Sequence, residues 1–239
     1  MNLIIKENYD EATRLAAELI INEVELKNDA VIGLSGGATM KGVLESIVKD
    51  QKEMARDYSN VTTLNVDEYV GLLKEDEYRS FLYFMRENLF DHIQFKTNYI
   101  PKFNTNHPEE RAKKYQVVYD ENIPDLLVIG LGTNGHIGFN EPGTSFDSGT
   151  RLIKLDESTR VANSKYFRSL ETVPHYAITI GLADIMKAKK IVLIATGLAK
   201  AEIIKKINES EITEDLPATI LKKHNDVTLI LDKEAASLL

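Results

Sequence analysis

The feature that most constrains this chain is a rhythm. Short apolar runs of four to six residues alternate with longer stretches of helical period, and most runs stop at glycine or small polar residues. Ala30-Val31-Ile32-Gly33-Leu34, Val61-Thr62-Thr63-Leu64-Asn65-Val66 and Asp125-Leu126-Leu127-Val128-Ile129-Gly130 read as strands buried on both faces. Tyr176–Ile180, Lys190–Ala195 and Val227–Leu231 complete the set. Between them, Asp10–Leu26 carries Ala12, Leu15, Ala16, Leu19, Ile20 and Val24 at helical spacing, with Asn8 or Asp10 placed to cap it. Tyr78–Phe90 and Lys200–Asn208 read as further helices, and Pro108 opens another toward Tyr119, capped by Asn106 or His107. Alternating strands and helices predict an α/β fold with a mostly parallel open sheet wrapped by helices on both faces, Rossmann-like in layout. No repeat or long linker divides the 239 residues, so one catalytic domain over 1–239 is expected. The least regular stretch, Gly132–Phe167, is long for a connection and is expected to include a lid.

Composition excludes several classes. Lys+Arg is 29 against 37 Asp+Glu, a net charge of -8, which repels a nucleic-acid backbone. An anionic small molecule would need a local cluster of donors. The absence of cysteine removes disulfides, thiolate nucleophiles and Cys-based zinc sites. Five scattered histidines without an H-E-x-x-H helix give no dedicated metal site. No stretch has the apolar length of a membrane span, and the N-terminus lacks the apolar core of a signal peptide; a cytoplasmic protein is expected.

In open α/β sheets, ligands bind beyond the carboxyl ends of the strands. Four strand exits here carry chemistry: Ser35-Gly36-Gly37-Ala38-Thr39, Asp67-Glu68-Tyr69, Gly130-Leu131-Gly132-Thr133-Asn134-Gly135-His136 and Thr196-Gly197-Leu198-Ala199-Lys200. The first opens a helix directly after a strand, where free amides and the helix dipole favour an anion such as phosphate, although a plain tight turn has the same letters. It lacks the lysine of a Walker loop. Gly130–Gly135 spells G-x-G-x-x-G, but His136-Ile137-Gly138-Phe139-Asn140-Glu141-Pro142-Gly143 continues as a structured loop, which argues against a dinucleotide. Of the adjacent Asp67 and Glu68, which point to opposite faces of an extended chain, one is expected to face a ligand; the plain alternative for the pair is a helix cap plus a solvated acid. His136 with Glu141 five residues on suggests a carboxylate–imidazole pair. Gly33-Leu34-Ser35-Gly36-Gly37 also fits G-x-S-x-G, and the order Ser35, Asp67, His136 matches a hydrolase triad; this ranks below phosphate binding because the oxyanion-loop sequence is missing. Arg151, Arg160, Lys165, Arg168 and Lys200 supply cations near the long loop, either as a solvated face or for a phosphorylated substrate.

Taken together, Leu34-Ser35-Gly36-Gly37, Asn65-Val66-Asp67-Glu68-Tyr69-Val70-Gly71-Leu72, Gly135–Pro142 and Thr159-Arg160-Val161-Ala162-Asn163-Ser164 resemble the glucosamine-6-phosphate deaminase family, related to 6-phosphogluconolactonase. The resemblance spans nearly the whole chain, and the second and third segments are its specific part. It implies conversion of glucosamine 6-phosphate and water to fructose 6-phosphate and ammonia, in amino-sugar catabolism, without cofactor or metal. It implies that Asp67 takes the C2 proton and returns it at C1, that His136 assists opening of the sugar ring, and that Glu141 tunes and orients His136. Phosphate contacts carry over to Ser35, Gly36, Gly37, Lys165 and Lys200. At 165 relatives often have arginine; lysine keeps the charge and loses the planar fork. Asn134 stands where some members have aspartate beside the histidine, which leaves Glu141 as the partner of His136. Longer members carry a C-terminal extension associated with hexamers and activation by N-acetylglucosamine 6-phosphate. This chain stops soon after its last strand and has Ile153 near the matching activator region, so a monomer or small homo-oligomer is expected. The alternatives are a 6-phosphogluconolactonase-type hydrolase and a non-catalytic sugar-phosphate sensor.

Overall fold

The computed structural model describes residues 1–101 and 106–239. In chain order the elements are β1 (Asn2–Lys6), α1 (Tyr9–Leu26), β2 (Val31–Leu34), α2 (Ala38–Met54), β3 (Thr62–Asn65), β4 (Asp67–Val70), α3 (Phe81–Met85), β5 (Thr97–Tyr99), α4 (Pro108–Glu121) and β6 (Leu126–Gly130). They continue as β7 (Arg151–Lys154), α5 (Glu157–Asn163), β8 (Tyr176–Thr179), α6 (Leu182–Ile185), β9 (Lys190–Ala195), α7 (Ala201–Glu209) and β10 (Val227–Asp232). Seven strands form one sheet in the order β1-β10-β9-β6-β2-β3-β5, every pair parallel. A second sheet of three antiparallel strands, β4-β8-β7, stands beside it.

The parallel sheet has a packed layer on each face. Leu126 and Val128 of β6 point with Ile32 and Leu34 into the layer made by α1 and α2. Leu127 and Ile129, one residue out of phase, point with Leu193 and Leu229 into the layer that includes Tyr115 and Tyr119 of α4 and Ile203, Ile204 and Ile207 of α7. This is the two-sided burial that the continuous apolar runs predict. The start of α1 is capped by Asn8, whose side chain accepts from the Glu11 amide at 3.0 Å.

Several elements differ from the sequence reading. The run Val61–Val66 holds one strand, β3, but Asp67-Glu68-Tyr69, read as a strand exit, begins a strand of the other sheet after a bend at Val66. Tyr176–Ile180 belongs to that antiparallel sheet rather than the parallel one. Tyr78–Phe90 is broken into a tight turn over Lys74–Arg79, the short α3, and a wider turn over Arg86–Phe90. The break has a cause: the Ser80 hydroxyl accepts from the Tyr83 amide and restarts the helix. At the start of α4 it is His107, not Asn106, that occupies the capping position. The stretch 132–167 holds β7 and α5, and the N-terminal Asn2–Lys6 is an edge strand; neither was read as an element. None of the helices among the described residues is long and apolar enough to cross a membrane.

Candidate active site

The four strand exits meet at the carboxyl edge of the parallel sheet. The Ser35 hydroxyl, after β2, accepts from the Gly130 amide at the end of β6 at 3.2 Å. Thr39, at the start of α2, lies 3.4 Å, hydroxyl to hydroxyl, from Thr196 after β9. Lys200, past β9, donates its ammonium to the Leu131 carbonyl at 2.6 Å. The loop after β6 packs on the β4–β8 pair: the Phe139 amide donates to the Thr179 hydroxyl at 3.1 Å, and Thr179 is the register partner of Asp67. Asn140 secures the same loop by donating to the carbonyls of Ile137 and Ile180, both at 2.9 Å.

Ser35, Gly36 and Gly37 lead into α2. Gly37, at φ +107°, is the capping residue, a conformation that suits glycine. Gly36 is required for a different reason. A Cβ there would sit 2.2 Å from the ring of Phe81, so the loop lies flat against the first residue of α3. Glu68 holds α3 in that place. Its carboxylate accepts from the amides of Phe81 and Leu82 at 3.0 and 2.8 Å, and from its own neighbour Tyr69 at 2.8 Å. The expected helix cap is therefore present, but Glu68 is fully buried, not solvated.

Asp67 is equally enclosed, at 5% exposure, and its Oδ1 has no hydrogen-bond partner among the described residues. Burial alone pushes its carboxyl up to about 7. Two residues earlier, Asn65 ends β3 wholly buried, with neither its amide nitrogen nor its amide oxygen paired among the described residues. Its backbone carbonyl is held by the Tyr115 hydroxyl at 2.6 Å. Sequence reasoning passed over Asn65; a polar residue closing an apolar strand beside a candidate base was the available signal.

His136, Glu141 and Asn134 come together as a unit. His136 Nδ1 lies 3.4 Å from Glu141 Oε2. Asn134 donates its amide to that same Oε2 at 2.7 Å, and its oxygen accepts from the His136 backbone N–H at 3.2 Å. The imidazole lies over Gly132, where a Cβ would fall 2.3 Å from the ring. Thr159 of α5, unremarked in the sequence beyond its place in a motif, donates its hydroxyl to Glu141 Oε1 at 2.5 Å. Burial pushes the Glu141 carboxyl up, but His136, Thr159 and Asn134 outweigh it and hold the group below the usual carboxylate range.

The cations sort into two sets. Arg160 is spent on Glu157 and the carbonyls of Leu170 and Val173. Arg168 pairs with Asp76, and Arg151 donates to Asn140 and to the Gly149 carbonyl. These three are engaged by protein groups rather than simply solvated. Lys165 is exposed and close enough to act on Lys200, whose ammonium is lowered to about 8, by burial first and then by the Lys165 charge. Two ammoniums held near each other are the arrangement an anion would relieve. Among the described residues no group of three or more His, Asp or Glu is placed to hold a metal ion.

A parallel sheet whose loops gather an enclosed carboxyl, an imidazole–carboxylate pair, a glycine turn and a buried lysine defines an α/β protein with an acid–base site beyond its strand ends. The comparisons agree with that class. The family model for glucosamine-6-phosphate isomerases and 6-phosphogluconolactonases matches residues 6–230, and the chain belongs to this family. A glucosamine-6-phosphate deaminase of Bacillus cytotoxicus is 44% identical over 238 residues, covering 100% of this chain and 89% of the relative. That of Clostridium perfringens strain SM101 is 44% identical over 242 residues, covering both chains completely. Among solved structures, a monomeric glucosamine-6-phosphate deaminase superposes with a TM-score of 0.97 at 38% identity, each chain covered in full. A 6-phosphogluconolactonase from Trypanosoma cruzi, at TM-score 0.76 and 20% identity, covering 100% of this chain and 96% of its own, shares the fold.

Proposed function

We propose that this protein converts glucosamine 6-phosphate and water to fructose 6-phosphate and ammonia. The reaction is an aldose–ketose isomerisation followed by hydrolytic loss of the amino group, so the net change is that of a hydrolase acting on an amino-sugar phosphate. The observation that carries the reading is Asp67: a carboxyl enclosed by protein, raised to about 7, at the strand end where four loops meet. A base that takes a carbon-bound proton and then returns it works best when both its forms are accessible near neutral pH.

In this scheme His136 opens the sugar ring by passing a proton to the ring oxygen, and Glu141, held by Asn134, keeps the imidazole oriented. Asp67 takes the C2 proton from the open-chain aminosugar and delivers it to C1, leaving a C2 imine that water hydrolyses. Phosphate is received by Ser35 and the amides of Gly36 and Gly37 at the start of α2, with Lys165 and Lys200 supplying charge. Residues 1–239 act as one catalytic unit, with a lid within 132–167 centred on α5. The chemistry calls for no cofactor and no metal. A charged sugar phosphate does not cross a bilayer unaided, which supports a cytoplasmic enzyme, and the monomeric relative supports a monomer or small homo-oligomer. The lactonase alternative has fold-level likeness behind it. Ammonia release from glucosamine 6-phosphate, assayed beside hydrolysis of 6-phosphogluconolactone, tests the reading: ammonia without lactone cleavage is expected, and lactone cleavage alone, or binding without turnover, overturns it.

A further inference from the structure

The site's imidazole–carboxylate pair has a third partner on a separate element. Glu141 Oε2 faces His136 Nδ1 and the Asn134 amide, both on its own loop, while Oε1 receives the Thr159 hydroxyl from α5. Thr159 is 3% exposed and stands on the third residue of α5, just past the Asp156 cap. Of the ionisable groups, His136 acts on Glu141 and also on Asp156, the cap of α5. Arg160, the next residue of α5, is turned away onto Glu157 and two carbonyls. The hydroxyl of Thr159 is therefore the tie by which α5 reaches the pair.

The geometry points to Thr159 as a positioning residue, its hydroxyl fixing the Glu141 carboxylate so that Oε2 stays toward His136, and making that alignment conditional on α5 being seated. A carboxylate held by a neutral amide alone can turn about its last bond; a second donor on the opposite oxygen removes that freedom. Since α5 leads directly to Lys165, the element that ties Glu141 also carries a cation proposed to meet phosphate. The inference deepens the proposed reaction and rests on it for its catalytic consequence, but the alignment itself is measurable in the free protein.

The test uses Thr159→Val, which keeps shape and removes the hydroxyl, Thr159→Ser, which keeps the hydroxyl, and Thr159→Ala as a second deletion should valine not fold. The side-chain carboxyl of Glu141 is titrated by carbon NMR in the full-length protein without substrate. Loss of the hydroxyl is expected to raise its midpoint by about one pH unit, and serine to restore it, as for removal of a charge-assisted hydrogen bond. In turnover, Thr159→Val should lower kcat roughly tenfold with little change in KM, since Lys165 is untouched. An unchanged Glu141 midpoint in a folded hydroxyl-free variant, or a serine variant that behaves like valine, overturns the inference. A rise in KM with unchanged kcat does so too, for it would mean that Thr159 merely seats the helix. Failure of the wild-type protein to release ammonia would overturn the proposed reaction and leave the titration to decide the role of Thr159.

Discussion

Asp67 sits in an environment that opposes its charge: enclosed, beside the buried Glu68, its Oδ1 unpaired among the described residues. The sign of the resulting pH dependence is fixed. Its folded midpoint, about 7, lies above that of a free aspartate, so the folded state binds the extra proton. Its stabilising contribution is complete below about pH 4 and is lost as the pH rises through 7. Asp67→Asn removes that dependence. The variant should match wild type in thermal stability at pH 4 and exceed it at pH 8, by about 4 kcal/mol, as judged by melting scans across the range. At the same scale, the residues proposed for the site stood out in the sequence because they broke a pattern: Asp67, His136 and Lys200 each come after an apolar run. Thr159 was not, because a contact from a distant helix exists only after the chain has folded, and Asn65 showed only as a polar residue closing an apolar strand.

Elements explain why Glu68 cannot be exchanged with its neighbour. Asp67 leaves its Oδ1 unpaired among the described residues, whereas Glu68 collects three amides and anchors α3, whose Phe81 ring lies against Gly36. Glu68→Ala leaves those amides unmet and frees α3. We expect a loss of about 2 kcal/mol in denaturant unfolding, with a higher KM for the sugar phosphate because the turn at Gly36 and Gly37 loses its backing. The breaks in periodicity here were the part of the fold least visible in the sequence. Leu64-Asn65-Val66-Asp67-Glu68-Tyr69-Val70 has the composition of one long strand, and what splits it is the pairing of Asp67–Val70 with β8, more than a hundred residues away in the chain. Likewise β7 and α5 are short and polar, and they hold by packing against β8 and Glu141 rather than by propensity. The long strands β6, β9 and β10 were legible because burial on both faces makes their central stretches, 126–129, 191–195 and 229–231, continuously apolar.

At the scale of the molecule, the chain is two sheets with the proposed chemistry where they meet. The parallel sheet supplies the turn at Ser35 and the lysine at 200; the antiparallel one carries Asp67 and, through Thr179, holds the loop of His136. The central claim is that these parts serve one proton transfer, with Asp67 moving hydrogen between adjacent carbons of the same sugar. Turnover of glucosamine 6-phosphate in heavy water, followed by NMR of the product, tests this most directly. Wild-type protein should yield ammonia and fructose 6-phosphate bearing solvent deuterium at C1, while Asp67→Asn should bind the sugar phosphate yet form neither product at more than about a thousandth of the wild-type rate. An Asp67→Asn variant that releases ammonia and labels C1 at the wild-type rate would contradict the account.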